Sequence, residues 1–392
     1  MTQRPPIVTK PPVARVLVVG LRREGTSEVI AALRSIATPG WLEQSPPRVW
    51  TSPPTPDEQR AAMIDPGASA SVAPAIQLES TKRSFLLFEC VDGPSSLGLC
   101  AAVRFDAVLW VRSADEDTEL DTALPTLELA RFLGALPAIV FVTDSERASR
   151  ERRDRVEREA REALSLAGFA SDEAPVICST GAIEAASDAW RAGVAALREA
   201  LDQRVPYVEE DTFVAVEVRD VFDIRGRGTV IVGAVVAGNP RTTEPLELLS
   251  PRGRIATTIV GIDIFRRPTP MEVPRSAGLV GLQIQLPRDR VSPGDYLVTP
   301  QHGAVATRAI IEGFCWQNAT DPSLADPLRC VTSAAARTAR VVSSDPSPLS
   351  IGAFTAELRF DVPTPLVHGC PLNLRREGDP PFATITVVRT LD

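Results

Sequence analysis

Gly20, Gly25, Thr26 and Ser27, in the stretch GLRREGTS, stand at the spacing of a phosphate-binding loop, GxxxxGK[ST]. The stretch lies between a β-rich apolar run, residues 13–19, and a segment of helical spacing. In such a loop, backbone N–H groups and a helix N-terminus hold phosphate. A lysine neutralises the terminal phosphates and the last hydroxyl binds Mg²⁺. Gly20, Gly25 and Ser27 are in register here, while Thr26 stands where the lysine belongs. Losing one charge-assisted contact to phosphate costs on the order of 1.5–3 kcal/mol. Arg22 and Arg23 carry charge nearby, but not from the lysine's position on the helix. The loop is therefore expected to form and to hold phosphate weakly.

Other chemistry is thinly supplied. Six cysteines and two histidines are spread along 392 residues, with no CxxC pair. A zinc site wants closely spaced ligands, so the cysteines are read as buried or surface thiols of a reducing compartment. Lys10 and Lys82 are the only lysines, and Asn239, Asn318 and Asn373 the only asparagines. The net charge of −8 argues against a chain that is basic throughout, without excluding a local basic face for RNA. No apolar run is long enough for a transmembrane helix, and the first twelve residues lack the apolar core of a secretory signal. A cytoplasmic location with no membrane or DNA partner is expected.

The elements that must carry the loop alternate in the first half. Apolar, strand-like runs fall at residues 13–19, 85–88, 107–111, 138–142 and 175–178. Helical spacing falls at 27–36, 120–133, 146–167 and around Trp190 to Leu197, with Gly168 placed to end the third helix. Apolar strands alternating with helices imply a parallel sheet covered on both faces. The alternating acids and arginines of 146–167 suit a solvated face with i,i+4 pairs. Residues 45–74, rich in proline, serine and alanine, read as a long loop. After Leu201 short Val/Ile/Thr-rich segments recur between Gly, Pro and Asp, the texture of antiparallel barrels.

One of these segments, DVFDIRGRGTV from Asp220 to Val230, resembles the start of the second domain of bacterial elongation factor Tu, a translational GTPase. Gly226 and Gly228 suit a tight turn between its two strands. GIDIFRR from Gly261, VSPGDYL from Val291 and LNLRREG from Leu372 resemble further stretches of the same family. The resemblance implies a phosphate-loop α/β nucleotide-binding domain over residues 1–203, a linker at 204–210, and two antiparallel β-barrels at 211–301 and 302–392.

The same resemblance places the family's motifs residue by residue. Its DCPGH falls on Asp92, Gly93, Pro94, Ser95 and Ser96, so that Ser96 takes the place of the histidine that positions the attacking water. Its NKxD falls on Thr143, Asp144, Ser145 and Glu146, with Asp144 or Glu146 as the carboxylate for a guanine base. Its SA(L/K) loop falls on Ser179, Thr180 and Gly181. Ser27 and Asp92 are the positions implied for Mg²⁺. Asp220, Phe222 and Asp263 match the family's pocket for the aminoacyl end of tRNA, and Phe222 is expected near Phe265.

Three readings follow. The chain is a family member with weak or absent GTP hydrolysis that acts as a binding or regulatory module, or a working GTPase that delivers aminoacyl-tRNA, or a module that binds protein or RNA through its barrels alone. Retained Gly20, Gly25, Ser27 and Asp92 favour some GTP, GDP or Mg²⁺ binding, and the lack of Lys, Asn and His favours the first reading over the second. The partners implied are tRNA, the ribosome or a nucleotide-exchange-type protein.

Overall fold

The computed structural model describes residues 13–20, 25–35, 41–42, 75–80, 83–90, 104–115, 120–179, 187–206, 213–264, 267–268, 279–316, 327–332, 334–347, 349–377 and 381–391. The first seven described strands are β1 (Val13–Val19), β2 (Trp41–Leu42), β3 (Ala75–Ser80), β4 (Ser84–Cys90), β5 (Ala107–Ser113), β6 (Ala138–Thr143) and β7 (Val176–Cys178). They form one sheet in the order β2-β3-β4-β1-β5-β6-β7. The run from β4 to β7 is parallel, as the apolar runs imply. The edge strands β3 and β2 are antiparallel. The sequence pattern does not foresee them, because AIQLES is too short and too polar to stand out.

Helices α1 (Thr26–Ser35), α2 (Leu120–Phe132), α3 (Arg150–Leu166) and α4 (Asp188–Arg204) cover both faces. Alternate residues of each central strand serve opposite cores. Leu17, Val108, Trp110 and Val140 meet α2 and α3 through Leu127, Val156 and Leu164. Val16, Leu109, Ile139 and Phe141 meet α1 and α4 through Val29, Leu33, Trp190 and Leu197. The third helix begins at Arg150 rather than at residue 146, because the Ser149 hydroxyl accepts from the Arg152 N–H and caps it. Its exit is as expected: Gly168 has φ 82° and the Phe169 N–H donates to the Leu164 carbonyl. Its outer face carries the i,i+4 pairs Arg150–Asp154 and Arg161–Glu157.

The second unit comprises β8 (Ala215–Ile224), β9 (Gly228–Ala237), β10 (Pro245–Ser250), β11 (Gly253–Ile264), β12 (Arg267–Pro268), β13 (Leu279–Ile284) and β14 (Tyr296–Val298). Its sheet runs β10-β14-β8-β9-β13-β11-β12, and pairing of β10 with β11 closes it into a barrel with β12 appended. Gly226 (φ 81°) and Gly228 (φ 76°) make the β8–β9 turn. The third unit, β15 (Gly303–Cys315), β16 (Leu328–Val331), β17 (Ala336–Asp345), β18 (Gly352–Val367), β19 (Pro371–Arg375) and β20 (Ala383–Thr390), closes in the order β15-β18-β17-β16-β19-β20. The chain is thus an α/β sheet followed by two closed antiparallel barrels. Closure pairs the edges of the described barrel strands.

The barrels meet through Ala215, Val236, Leu249, Tyr296, Val298 and Val367. At this junction Asp295 is buried, and its Oδ2 accepts from the Ser292 N–H at 2.8 Å. Burial pushes its carboxyl up to about 6, against the pull of Ser292, Arg252 and Arg337. The folded state thus holds this proton more tightly than the unfolded chain. Its favourable contribution is complete below about pH 4 and is lost as pH rises through about 6. Asp295→Asn should therefore gain stability over the unsubstituted protein by about 1 kcal/mol or more between pH 5 and pH 7.5. Urea denaturation at the two pH values reads this, and an unchanged difference between the proteins would refute it.

Candidate functional site

The C-terminal ends of β4, β1, β5, β6 and β7 share one edge of the parallel sheet, where open α/β sheets take ligands. Gly20 follows β1 at this edge. A Cβ there would lie 2.1 Å from Thr26 Oγ1 and 3.2 Å from the Val111 carbonyl oxygen, so only glycine fits. Gly25 has φ 82°, a conformation that glycine adopts without strain. Its carbonyl accepts from the Val29 N–H at 2.9 Å and opens α1. Both glycines thus serve the strand–loop–helix geometry on either side of residues 21–24.

Thr26, in the lysine's place, is buried at 3% exposure and lies against Gly20. Its Oγ1 has no hydrogen-bond partner among the described residues. Ser27 is exposed, and its hydroxyl donates to Glu89 Oε1 at 2.5 Å. Glu89 is the residue that sequence reasoning missed. The available signal was an acid near the end of the otherwise apolar strand SFLLFEC, a position where a charge is costly unless it finds a partner. Arg22, Arg23, Asp92, Ser95, Ser96 and Thr180 lie outside the described residues.

At the other end of the edge, the β6 and β7 loops meet. Asp144 has φ 55°, and its Oδ2 accepts from the hydroxyls of Ser113 (3.1 Å) and Thr143 (3.3 Å). The Ser145 hydroxyl donates to the Ser179 carbonyl. The Ser179 N–H donates to the Val142 carbonyl at 2.9 Å. Ser179 is buried against Gly193, where an added Cβ would come within 3.2 Å of it. Asp144, Ser145 and Ser179 are thereby brought together, whereas Glu146 is exposed on the turn before α3. What this end offers a ligand is a carboxylate already engaged by two hydroxyls.

In the second unit, backbone register places Asp220, Val232, Gly281 and Asp263 in one row across β8, β9, β13 and β11. Phe222 sits two residues along β8, 46% exposed and opposite Val230. The Asp220 Oδ1 accepts from the Val221 N–H at 2.7 Å. The expected neighbour Phe265, like the Asp263 side chain, lies outside the described residues. Cys90, Cys315, Cys330 and Cys370 are buried, and burial pushes Cys330 up to about 12, so it is not a reactive thiolate. No cluster of three or more metal-ligating side chains occurs among the described residues, nor is any described helix long and apolar enough to cross a membrane.

No protein-family model matches the chain. Over 203 residues it is 32% identical to Elongation factor Tu 2 of Streptomyces avermitilis, an alignment covering 51% of this chain and 51% of that protein. The chain spans about half the length of the curated relative it matches. The remainder of the likeness is architectural, an α/β sheet followed by two closed barrels. By sequence, then, the chain is similar over half its length to an elongation factor Tu.

Proposed function

We propose that this is a cytoplasmic, elongation factor Tu-like protein of the translational GTPase family that works as a binding or regulatory module and has given up tight GTP binding and hydrolysis. Its parts would be a nucleotide-type domain at 1–203 and barrels at 211–301 and 302–392. The barrel row of Asp220 and Asp263, with exposed Phe222, would be a contact face for tRNA, and the ribosome or an exchange-type protein would be further partners.

The observation that carries this reading is the placement of Thr26 and Ser27. Mg·GTP needs a cation reaching the terminal phosphates and a hydroxyl free to meet the metal. Thr26 supplies neither length nor charge and is turned inward against Gly20. Ser27 is engaged by a carboxylate. The residues present do not fit Mg·GTP, and no hydrolytic step is assigned to them.

Calorimetric titration with GTP and GDP, with and without Mg²⁺, tests the reading. No submicromolar dissociation constant is expected. Thr26→Lys should tighten GTP by about tenfold to a hundredfold, the worth of one charge-assisted phosphate contact. Ser96→His alone should leave hydrolysis negligible, because it restores a water-positioning group without restoring binding. Submicromolar GTP binding by the unaltered chain, or turnover at the rate of a working GTPase, would sink the proposal.

A further inference from the structure

We infer that Glu89 is the determinant that closes the phosphate end of this site, acting as a built-in anion at the N-terminus of α1. The inference deepens the reading above. Glu89 lies near the end of β4, beside β1, whose exit feeds the loop. Its carboxylate reaches across 62 positions of sequence to accept from Ser27, the second residue of α1. A hydroxyl–carboxylate contact of 2.5 Å is of the strong, charge-assisted kind. The first turn of a ten-residue helix favours an anion there, and the chain supplies that anion itself.

A second observation lies at the same spot, an unpaired hydroxyl where a cation would be needed. Thr26 Oγ1, on a residue 97% buried, has no partner among the described residues and lies against Gly20 at the base of the loop. A phosphate entering here would meet a fixed negative charge at close range, with no lysine to offset it. Two like charges side by side repel, and at this exposed contact salt screens the repulsion. Thr26 and Glu89 therefore act together: one removes the attraction and the other adds repulsion. Glu89 selects against phosphorylated ligands as a class, and nucleotides are excluded by their phosphates rather than by their base.

The test is a double-mutant cycle on the full chain with Thr26→Lys, Glu89→Gln and the pair. Glutamine keeps the shape of the side chain and an oxygen that accepts from Ser27, and removes only the charge. Calorimetry with GDP, inorganic phosphate and Mg²⁺ alone is run at two salt concentrations, with circular dichroism and melting to confirm the fold. Glu89→Gln should bind GDP and phosphate at least tenfold more tightly than the unaltered chain. The double variant should exceed Thr26→Lys by a similar factor, and the gain should shrink as salt rises. Where binding by the unaltered chain and Glu89→Gln is too weak to fit, the ratio is read on the Thr26→Lys background. Indistinguishable Thr26→Lys and double variants, including the case in which neither binds, would overturn the inference. So would Mg²⁺ binding to the unaltered chain that Glu89→Gln abolishes, since Ser27 and Glu89 would then be a cation site. Tight GTP binding by the unaltered chain would end the functional reading, while the Glu89 ratio would still be measured on its own.

Discussion

Glu159→Ala should destabilise the α/β unit by about 3 kcal/mol, and Arg112→Met should cost clearly less. Arg112 lies on β5 and is 1% exposed. Its Nη2 meets Glu159 Oε2 of α3 at 3.3 Å, and its Nη1 donates to the Val156 carbonyl at 3.4 Å. Its guanidinium carbon stands 5.2 Å from the Trp110 ring centroid. Removing Glu159 would leave a buried charge without its counter-ion, the costly half of an ion pair to lose. Glu159 is 28% exposed, so solvent softens the loss toward the low end of the usual 3–5 kcal/mol range. Methionine at 112 would instead remove the charge and keep most of the volume. The consequence reaches the site, because the Arg112 carbonyl accepts from Thr143 Oγ1 and the next residue, Ser113, holds Asp144. Urea denaturation of both variants checks the order of effects, and a Glu159→Ala protein within 1 kcal/mol of the original would refute the account.

Phe314→Asp should uncouple the α/β unit from the third unit. Phe314 is on the outer face of β15, since Ala309, Ile311 and Cys315 face the barrel interior. An outward strand position facing water would ordinarily be polar, yet Phe314 is only 5% exposed and Trp316 only 7%. Both join the apolar core of α2 and α3, and the Phe314 ring lies 6.4 Å from that of Phe132 on α2. Truncating a buried phenylalanine costs about 3–5 kcal/mol, and an unpaired carboxylate at the same place costs more. The variant should show a larger radius of gyration by X-ray scattering and separate unfolding transitions for the α/β unit and the barrels. Because the contact is apolar and involves none of Gly20, Thr26 and Ser27, GTP and GDP should leave the radius of the original protein unchanged. A single cooperative transition with unchanged dimensions in Phe314→Asp would refute the role given to this contact.

Much of the architecture was legible because it rests on local patterning. Runs such as VARVLVV and AIVFVT are buried on both faces, and the helices between them show one apolar stripe each, so a covered parallel sheet was readable from spacing alone. Gly226 and Gly228 announced the β8–β9 turn because only a left-handed backbone makes it, and glycine adopts that at little cost. Gly25 sits at a left-handed position for the same reason, whereas Gly20 serves a close approach, since a Cβ there would meet Thr26 and the Val111 carbonyl. The β2–β3 edge was not legible, since a short polar strand at a sheet edge has no period to betray it.

What decides the chemistry was decided by the tertiary structure. The type of residue 26 could be read in the chain, but its turning inward against Gly20 depends on the packing of α1 on the sheet. The pairings Ser27–Glu89, Arg112–Glu159 and Ser145–Ser179 join residues 62, 47 and 34 positions apart. No local propensity encodes such contacts, because they exist only when separate strands and helices dock. Phe314 and Trp316 make the same point: in the sequence they are two more apolar residues at the end of a strand, and only the docking of α2 shows why they are buried.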